Sequence, residues 1–397
     1  MPDVGFSNLF GVLVIALAAP LVLGFVPRVR VPAVVLEIVA GVVAGPAVLG
    51  WLDRDLAVRI VALLGLAMLL FLAGLEIDLQ QLRGRLLGLA AAGYAISLAL
   101  GWTAGAVLDG VGWVDDPLLL AVTLSATSLG LVVPVLKDAG AVEGRLGQTV
   151  IAASSVADFA AVLLLSLLFS GEDSDTGARV ALLVAFVALV VVVASVVGWS
   201  GRSMRLGDVL VQLQDTTAEI RVRAAMLLLL AFVVLAEKFG LESILGAFMA
   251  GAVVGLLDRG ATTHPQFRTK LDAIGYGFLI PVFFVASGLG LDINGLIGSP
   301  AALARVPVFL AVLLLVRGSP ALLLLGRFGP RRTTAAALLQ ATSLPFIVTA
   351  TQIGVATGRL DAVNAAGLVC AGLVSVLAFP VTATTLGVRD EVPDPVA

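Results

Sequence analysis

One cysteine and one histidine in 397 residues leave no material for a disulfide framework or a zinc cluster. Cys370 lies inside the last apolar run, so it has no internal partner. No nucleophile with its base and no metal cluster can be read from the chain, which argues against a membrane enzyme or a sensor. Charge is scarce too. Only 13% of residues are Asp, Glu, Lys or Arg and 60% are hydrophobic, against about a quarter charged in soluble domains. No basic stretch precedes the first apolar run, which follows Met-Pro-Asp, so a first spanning helix is expected there rather than a cleaved signal peptide. No long polar stretch interrupts the apolar runs, so no soluble regulatory domain is expected either.

What is present is a series of runs of membrane-spanning length. They cover roughly 5–26, 33–50, 57–77, 86–108, 117–137, 148–170, 179–200, 223–239, 241–257, 271–291, 301–326, 333–356 and 363–386. The expectation is an all-α polytopic membrane protein with about 13 transmembrane helices, forming a single membrane transport domain over 1–397. A short polar break at Glu237 and Lys238 is either a tight turn or a kink, which leaves twelve or thirteen spans open. Loops after odd-numbered spans hold 17 of the 24 basic residues, and loops after even-numbered spans hold 5. Positive residues stay on the cytoplasmic side, so the N-terminus is expected outside and the C-terminus in the cytoplasm of a plasma or inner membrane. Topology thus accounts for the basic loops, and none of them calls for nucleic acid.

Two ionisable side chains break the apolar pattern. Asp158 is the sole charge between Gln148 and Phe169. Arg317 stands 12 residues from Arg305 and 10 from Arg327, about 15–18 Å from either end of its span and so at the midplane. A charge at that depth costs about 2.5–3.5 kcal/mol on insertion scales and more on others, so it marks an ion or proton pathway.

Three short matches recur in order along the chain. Glu37-Ile-Val-Ala-Gly-Val-Val-Ala-Gly45 resembles Glu242-Ser-Ile-Leu-Gly-Ala-Phe-Met-Ala-Gly251, Gly74-Leu-Glu-Ile-Asp78 resembles Gly288-Leu-Gly-Leu-Asp292, and Ala126-Thr-Ser-Leu129 recurs as Ala341-Thr-Ser-Leu344. Their offsets are 205, 214 and 215 residues. The copies lie seven spans apart, and an odd separation makes them cross in opposite directions. That is an inverted-topology repeat, with the first copy at 33–170, a linker at 179–222 and the second copy at 241–386. In both Ala-Thr-Ser-Leu words, hydroxyls precede Gly130 and Pro134 or Pro345, as expected of unwound helices lining a polar cavity. Helix-packing hydroxyls are the alternative.

Leu36-Glu-Ile-Val-Ala-Gly-Val-Val-Ala-Gly-Pro46, Phe71-Leu-Ala-Gly-Leu-Glu-Ile-Asp78, Ala126-Thr-Ser-Leu-Gly-Leu-Val-Val-Pro-Val-Leu-Lys-Asp138, Leu245-Gly-Ala-Phe-Met-Ala-Gly251 and Pro281-Val-Phe-Phe-Val-Ala-Ser-Gly288 together resemble the monovalent cation:proton antiporter superfamily, in particular its Kef-like branch. The resemblance implies a Na+/H+ antiporter-like fold with crossed discontinuous helices, working as a homodimer without a cofactor. It also implies that an acid on the sixth span binds the cation or the proton, a position that Asp158 matches. Many members carry a polar or acidic residue just before that acid and pair it with a Lys or Arg on the eleventh span. Arg317 fits the cationic role, but Ala157 occupies the neighbouring position.

A carboxylate that binds either a proton or a monovalent cation exchanges one for the other without a second site. Oxygen ligands are expected from Asp158, Thr127, Ser128, Ser154 and Ser155, with Arg317, Thr342, Ser343 and Gln340 as the midplane cation and the support of the broken helices. Arg317 either pairs with Asp158 or free carbonyls, or screens cations or holds an anion. The function expected is electroneutral exchange of Na+ or K+ for protons, with K+ efflux or organic-anion transport on the same fold as the alternative. Glu37 and Glu242 read as capping or packing groups near helix starts. Glu76 and Asp78 read as solvated near Arg83, His264 as a loop residue, and Gly41/Gly45, Gly101/Gly105 and Gly251/Gly255 as close helix approaches.

Overall fold

In a computed structural model of the chain, residues 5–25, 32–76, 85–169, 176–200, 219–260 and 265–387 are described, and a helix falls within each of the thirteen apolar runs. In chain order these are α1 (Ser7–Phe25), α2 (Ala33–Ala44), α3 (Leu56–Glu76), α4 (Arg85–Gly110), α5 (Pro117–Ser125), α6 (Leu129–Asp138), α7 (Arg145–Phe169), α8 (Thr176–Ser200), α9 (Ile220–Lys238) and α10 (Ser243–Gly260). Then come α11 (Pro265–Ile274) and α12 (Ile280–Leu289), joined through a π turn at Gly275–Leu279. The short α13 (Ile293–Ile297) and α14 (Pro300–Leu303) lead to α15 (Arg305–Leu313). A π turn at Leu314–Gly318 and a 3-10 stretch at Ser319–Leu324 continue α15 into α16 (Leu325–Gln340), followed by α17 (Pro345–Ala356) and α18 (Ala362–Thr385). Among the described residues, eight helical stretches are long and apolar enough to cross a membrane. The break at Glu237 and Lys238 is a turn: α9 ends at Lys238, Gly240 takes the left-handed φ of +68°, and α10 starts at Ser243. Asp78, Arg83 and His264 lie outside the described residues.

The chain divides into two compact units, one of 1–9, 55–77 and 162–284 and the other of 10–54, 78–161 and 285–397. In the first, α3 and α10 cross with backbone against backbone. A Cβ on Gly74 would overlap the Phe248 carbonyl, and one on Gly251 would overlap the Phe71 carbonyl, so only glycine allows this approach. Ser166 accepts a hydrogen bond from the Glu242 backbone N–H at 3.1 Å. Glu76 is not solvated as its place at a helix end suggested. Its side chain is 23% exposed, Oε1 lies 3.7 Å from Arg268, and Oε2 is buried with no hydrogen-bond partner among the described residues.

In the second unit α2 and α12 make a matching close approach, with Gly41 on the Val285 carbonyl and Gly288 on the Ile38 carbonyl. Glu37, the fifth residue of α2, is buried and caps nothing, which fits packing rather than capping. Helix α4 packs along α5, where Gly101 meets Ala121 and Gly105 meets Pro117. Asp116 starts α5: its carboxylate accepts from the Leu118 and Leu119 N–H groups at 3.0 Å each, with Pro117 in the first turn. The core of the unit is aliphatic, with Val132, Leu136, Leu146, Val150, Ala335 and Leu339 at its centre.

Candidate functional site

Two helices of the second unit are interrupted in their middles. Between α5 and α6 the chain is extended at Ala126 (φ −79°, ψ 155°) and Ser128 (φ −101°, ψ 94°). Between α16 and α17 it leaves the helix over 341–344, where Leu344 (φ −143°, ψ −56°) precedes Pro345. The second break has a local cause, because the ring of Pro345 disfavours helical geometry in the residue before it. The first does not. Pro134 lies inside α6, beyond the interruption. The two extended stretches meet: Ser128 N–H donates to the Thr342 carbonyl at 3.0 Å, and Thr127 Oγ1 donates to the Gln340 carbonyl at 2.7 Å. Each break therefore satisfies backbone groups that the other leaves open, as a buried interruption requires.

Asp158, half-buried on α7, closes the crossing from the side. Its Oδ1 accepts from Thr127 N–H and its Oδ2 from Leu129 N–H, both at 3.1 Å. These N–H groups border the start of α6, where the helix dipole also favours a negative charge. Arg317 comes in from the π turn and is 1% exposed. Its Nε donates to Thr127 Oγ1 at 2.8 Å, its Nη2 donates to the same oxygen, and its Nη1 donates to Ser97 Oγ at 3.2 Å. Arg317 and Asp158 are both held on Thr127, one at its hydroxyl and the other at its backbone N–H. Thr127 thus uses its whole hydroxyl, donating once and accepting twice.

Of the residues read from the sequence, Asp158, Thr127, Ser128, Gln340, Thr342 and Arg317 come together here, several through backbone atoms. The Thr342 hydroxyl turns back to the Leu338 carbonyl at 3.0 Å. Ser343 is tied to Ser375 through its backbone, while its own Oγ is buried with no hydrogen-bond partner among the described residues. Ser154 and Ser155 are buried on α7 within a turn of Asp158, and Ser154 Oγ likewise has no hydrogen-bond partner among the described residues. Ser97, Tyr94 and the backbone N–H of Leu129 had not been anticipated. The available signal was a serine three residues after one of only two tyrosines in the chain, on a largely apolar span. Among the described residues no group of three or more His, Cys, Asp or Glu could hold a metal ion.

The family model described as "Sodium/hydrogen exchanger, transmembrane" matches residues 13–388. The chain belongs to the sodium/hydrogen exchanger family. It is 29% identical over 413 residues to the putative Na(+)/H(+) antiporter YjbQ of Bacillus subtilis, covering 99% of this chain and 65% of that one. The chain thus spans about two-thirds of the length of that exchanger relative. It is also 29% identical over 298 residues to the Na(+)/H(+)-K(+) antiporter GerN of Bacillus cereus, covering 73% of each. The fold matches that of the sodium proton antiporter MjNhaP1 from Methanocaldococcus jannaschii at pH 8, with a TM-score of 0.62 at 15% identity over 95% of both chains. The all-α polytopic fold with discontinuous helices is therefore that of an exchanger, and membership of this family makes the chain a transporter rather than an enzyme.

Proposed function

We propose that this chain is a secondary transporter exchanging one monovalent cation for one proton at Asp158, by alternating access and without net charge movement. The observation that carries this is the Asp158 carboxylate held on the Thr127 and Leu129 N–H groups at the crossing of two interrupted helices. A proton and a hard monovalent cation compete there for the same oxygens, so loading one releases the other. Ser154, with an unengaged buried hydroxyl on the same helix, is a further oxygen for the cation, and Ser155 and Ser128 border the site. The cation is Na+ or K+, both of which appear in the description of GerN. An organic anion is disfavoured because the guanidinium of Arg317 is already engaged with the hydroxyls of Thr127 and Ser97.

The chain crosses the plasma or inner membrane thirteen times, N-terminus outside and C-terminus inside, as the sidedness of its basic residues supports. Its core is an inverted repeat. Support comes from the glycine approaches: Gly74 meets the backbone of Phe248 and Ala252, while Gly288 meets that of Ile38 and Val42. The family resemblance supports a homodimer.

The test is proton flux in proteoliposomes on addition of Na+, K+ or Li+ in turn. The parent responds to at least one of them, and Asp158→Asn falls to the level of vesicles without protein. A variant as active as the parent removes Asp158 from the exchange.

A further inference from the structure

Arg317 is wholly buried, and a buried guanidinium needs an acceptor for each of its edges. Thr127 Oγ1 takes the Nε and Nη2 edge and has no further capacity. The Nη1 edge goes to Ser97, a residue of α4 with 0% exposure. One turn earlier on the same face of α4 stands Tyr94, also buried, whose hydroxyl is 3.0 Å from Ser125 Oγ. Ser125 is the last residue of α5, two residues before Thr127. Its Oγ also lies 2.9 Å from the Val122 carbonyl. A carbonyl only accepts, so the single Ser125 hydrogen goes to Val122 and Tyr94 is the donor to Ser125.

These contacts close a ring. From Tyr94 it runs through Ser125 along the extended chain to Thr127, across to Arg317, and back to α4 at Ser97. Two groups tied to Asp158 through Thr127 sit in it: the Thr127 N–H that holds the carboxylate and the guanidinium held on the hydroxyl of the same residue. We propose that Tyr94 and Ser97 are positioning residues for cation binding, closing a hydrogen-bonded ring that keeps Arg317 on the hydroxyl of Thr127 and off the Asp158 carboxylate. This rests on the reading of Asp158 as the exchange site. Without Ser97, the Nη1 edge loses its acceptor, and Asp158 is the anion to which it turns. The arriving cation then has to displace an arginine, so its apparent affinity falls while turnover of the loaded site holds.

Ser97→Ala and Tyr94→Phe each delete one hydroxyl and little volume. In proteoliposomes titrated with Na+ and with K+ at fixed pH, Ser97→Ala raises the KM for the transported cation about tenfold with kcat little changed, as loss of a hydrogen bond to a charged group implies. Tyr94→Phe raises KM less, because it acts through Ser125 and Thr127. Both openings break one ring, so the double variant shows a smaller rise than the product of the single effects. Ser166→Ala, a buried hydroxyl deletion elsewhere on α7, keeps the parental KM. Parental KM values in Ser97→Ala and Tyr94→Phe beside an inactive Asp158→Asn overturn the ring while leaving the exchange site standing. An equal KM rise in Ser166→Ala overturns it as well. An active Asp158→Asn overturns the site reading on which the ring depends.

Discussion

At the scale of single residues, Thr127 carries more of the site than its neutral side chain suggests. Its hydroxyl joins Arg317 to the Gln340 carbonyl, and its backbone N–H holds Asp158. Thr127→Val keeps the shape and removes that hydroxyl, stranding two arginine donors and a carbonyl. Each stranded group costs about 1–3 kcal/mol, more where it is charged. Thr127→Val is therefore expected to lower the melting temperature in detergent and abolish exchange, while Thr127→Ser retains both; equal melting of parent and Thr127→Val would remove the hydroxyl from the network. Asp158, Arg317, Thr127 and Gln340 were legible in the sequence because each is a polar group within an apolar run, where its presence needs a reason. Their partners were not. A contact made by the N–H of Leu129 or by Ser97 exists only once two interrupted helices cross, and nothing in the one-dimensional pattern encodes that crossing.

At the scale of elements, the breaks and the glycines organise the packing. Proline predicts the second interruption through its effect on Leu344, but Pro134 lies beyond the first, which is held open by partners distant in sequence: Asp158 and the 340–342 stretch. The glycine spacings were readable as close approaches, but their register was not. The words beginning at Glu37 and Glu242 match at an offset of 205, whereas the close approaches within each unit make Gly41 correspond to Gly251, and Ile38 to Phe248, at 210. Small apolar words slide easily against one another, and carbonyl contacts fix what composition leaves free. In the repeat proposed above, the glycines rather than the glutamates are the equivalent positions. Gly251→Val pushes a branched side chain into the Phe71 carbonyl, an overpacking that costs about 1–3 kcal/mol or more. Gly88, exposed on α4 with nothing near its Cβ position, behaves oppositely. Gly88→Ala is expected to gain about 0.5–1 kcal/mol from helix propensity. Thermal unfolding in detergent separates the two, and a Gly251→Val that melts with the parent would refute the close approach.

For the molecule as a whole, the exchange proposed at one acid sets the electrical character expected of transport. Asp158 carries the same net charge whether a proton or a monovalent cation neutralises it, and Arg317 is fixed by hydroxyls through both limbs. A cycle that returns with the other passenger therefore moves no charge. In a solid-supported membrane recording, Na+ or K+ jumps under a pH gradient should give no transport current above that of Asp158→Asn, while proton flux in the same preparation is robust. A current that grows with the imposed ion gradients would mean that more than one proton returns for each cation and that a second group releases protons in the cycle. Glu37, buried within α2, is the carboxyl of the same unit to substitute next in that case. Ala157 bears on the same question: a second acid beside Asp158 would give the site two protons to release per cation, and alanine at that position removes this route to a current.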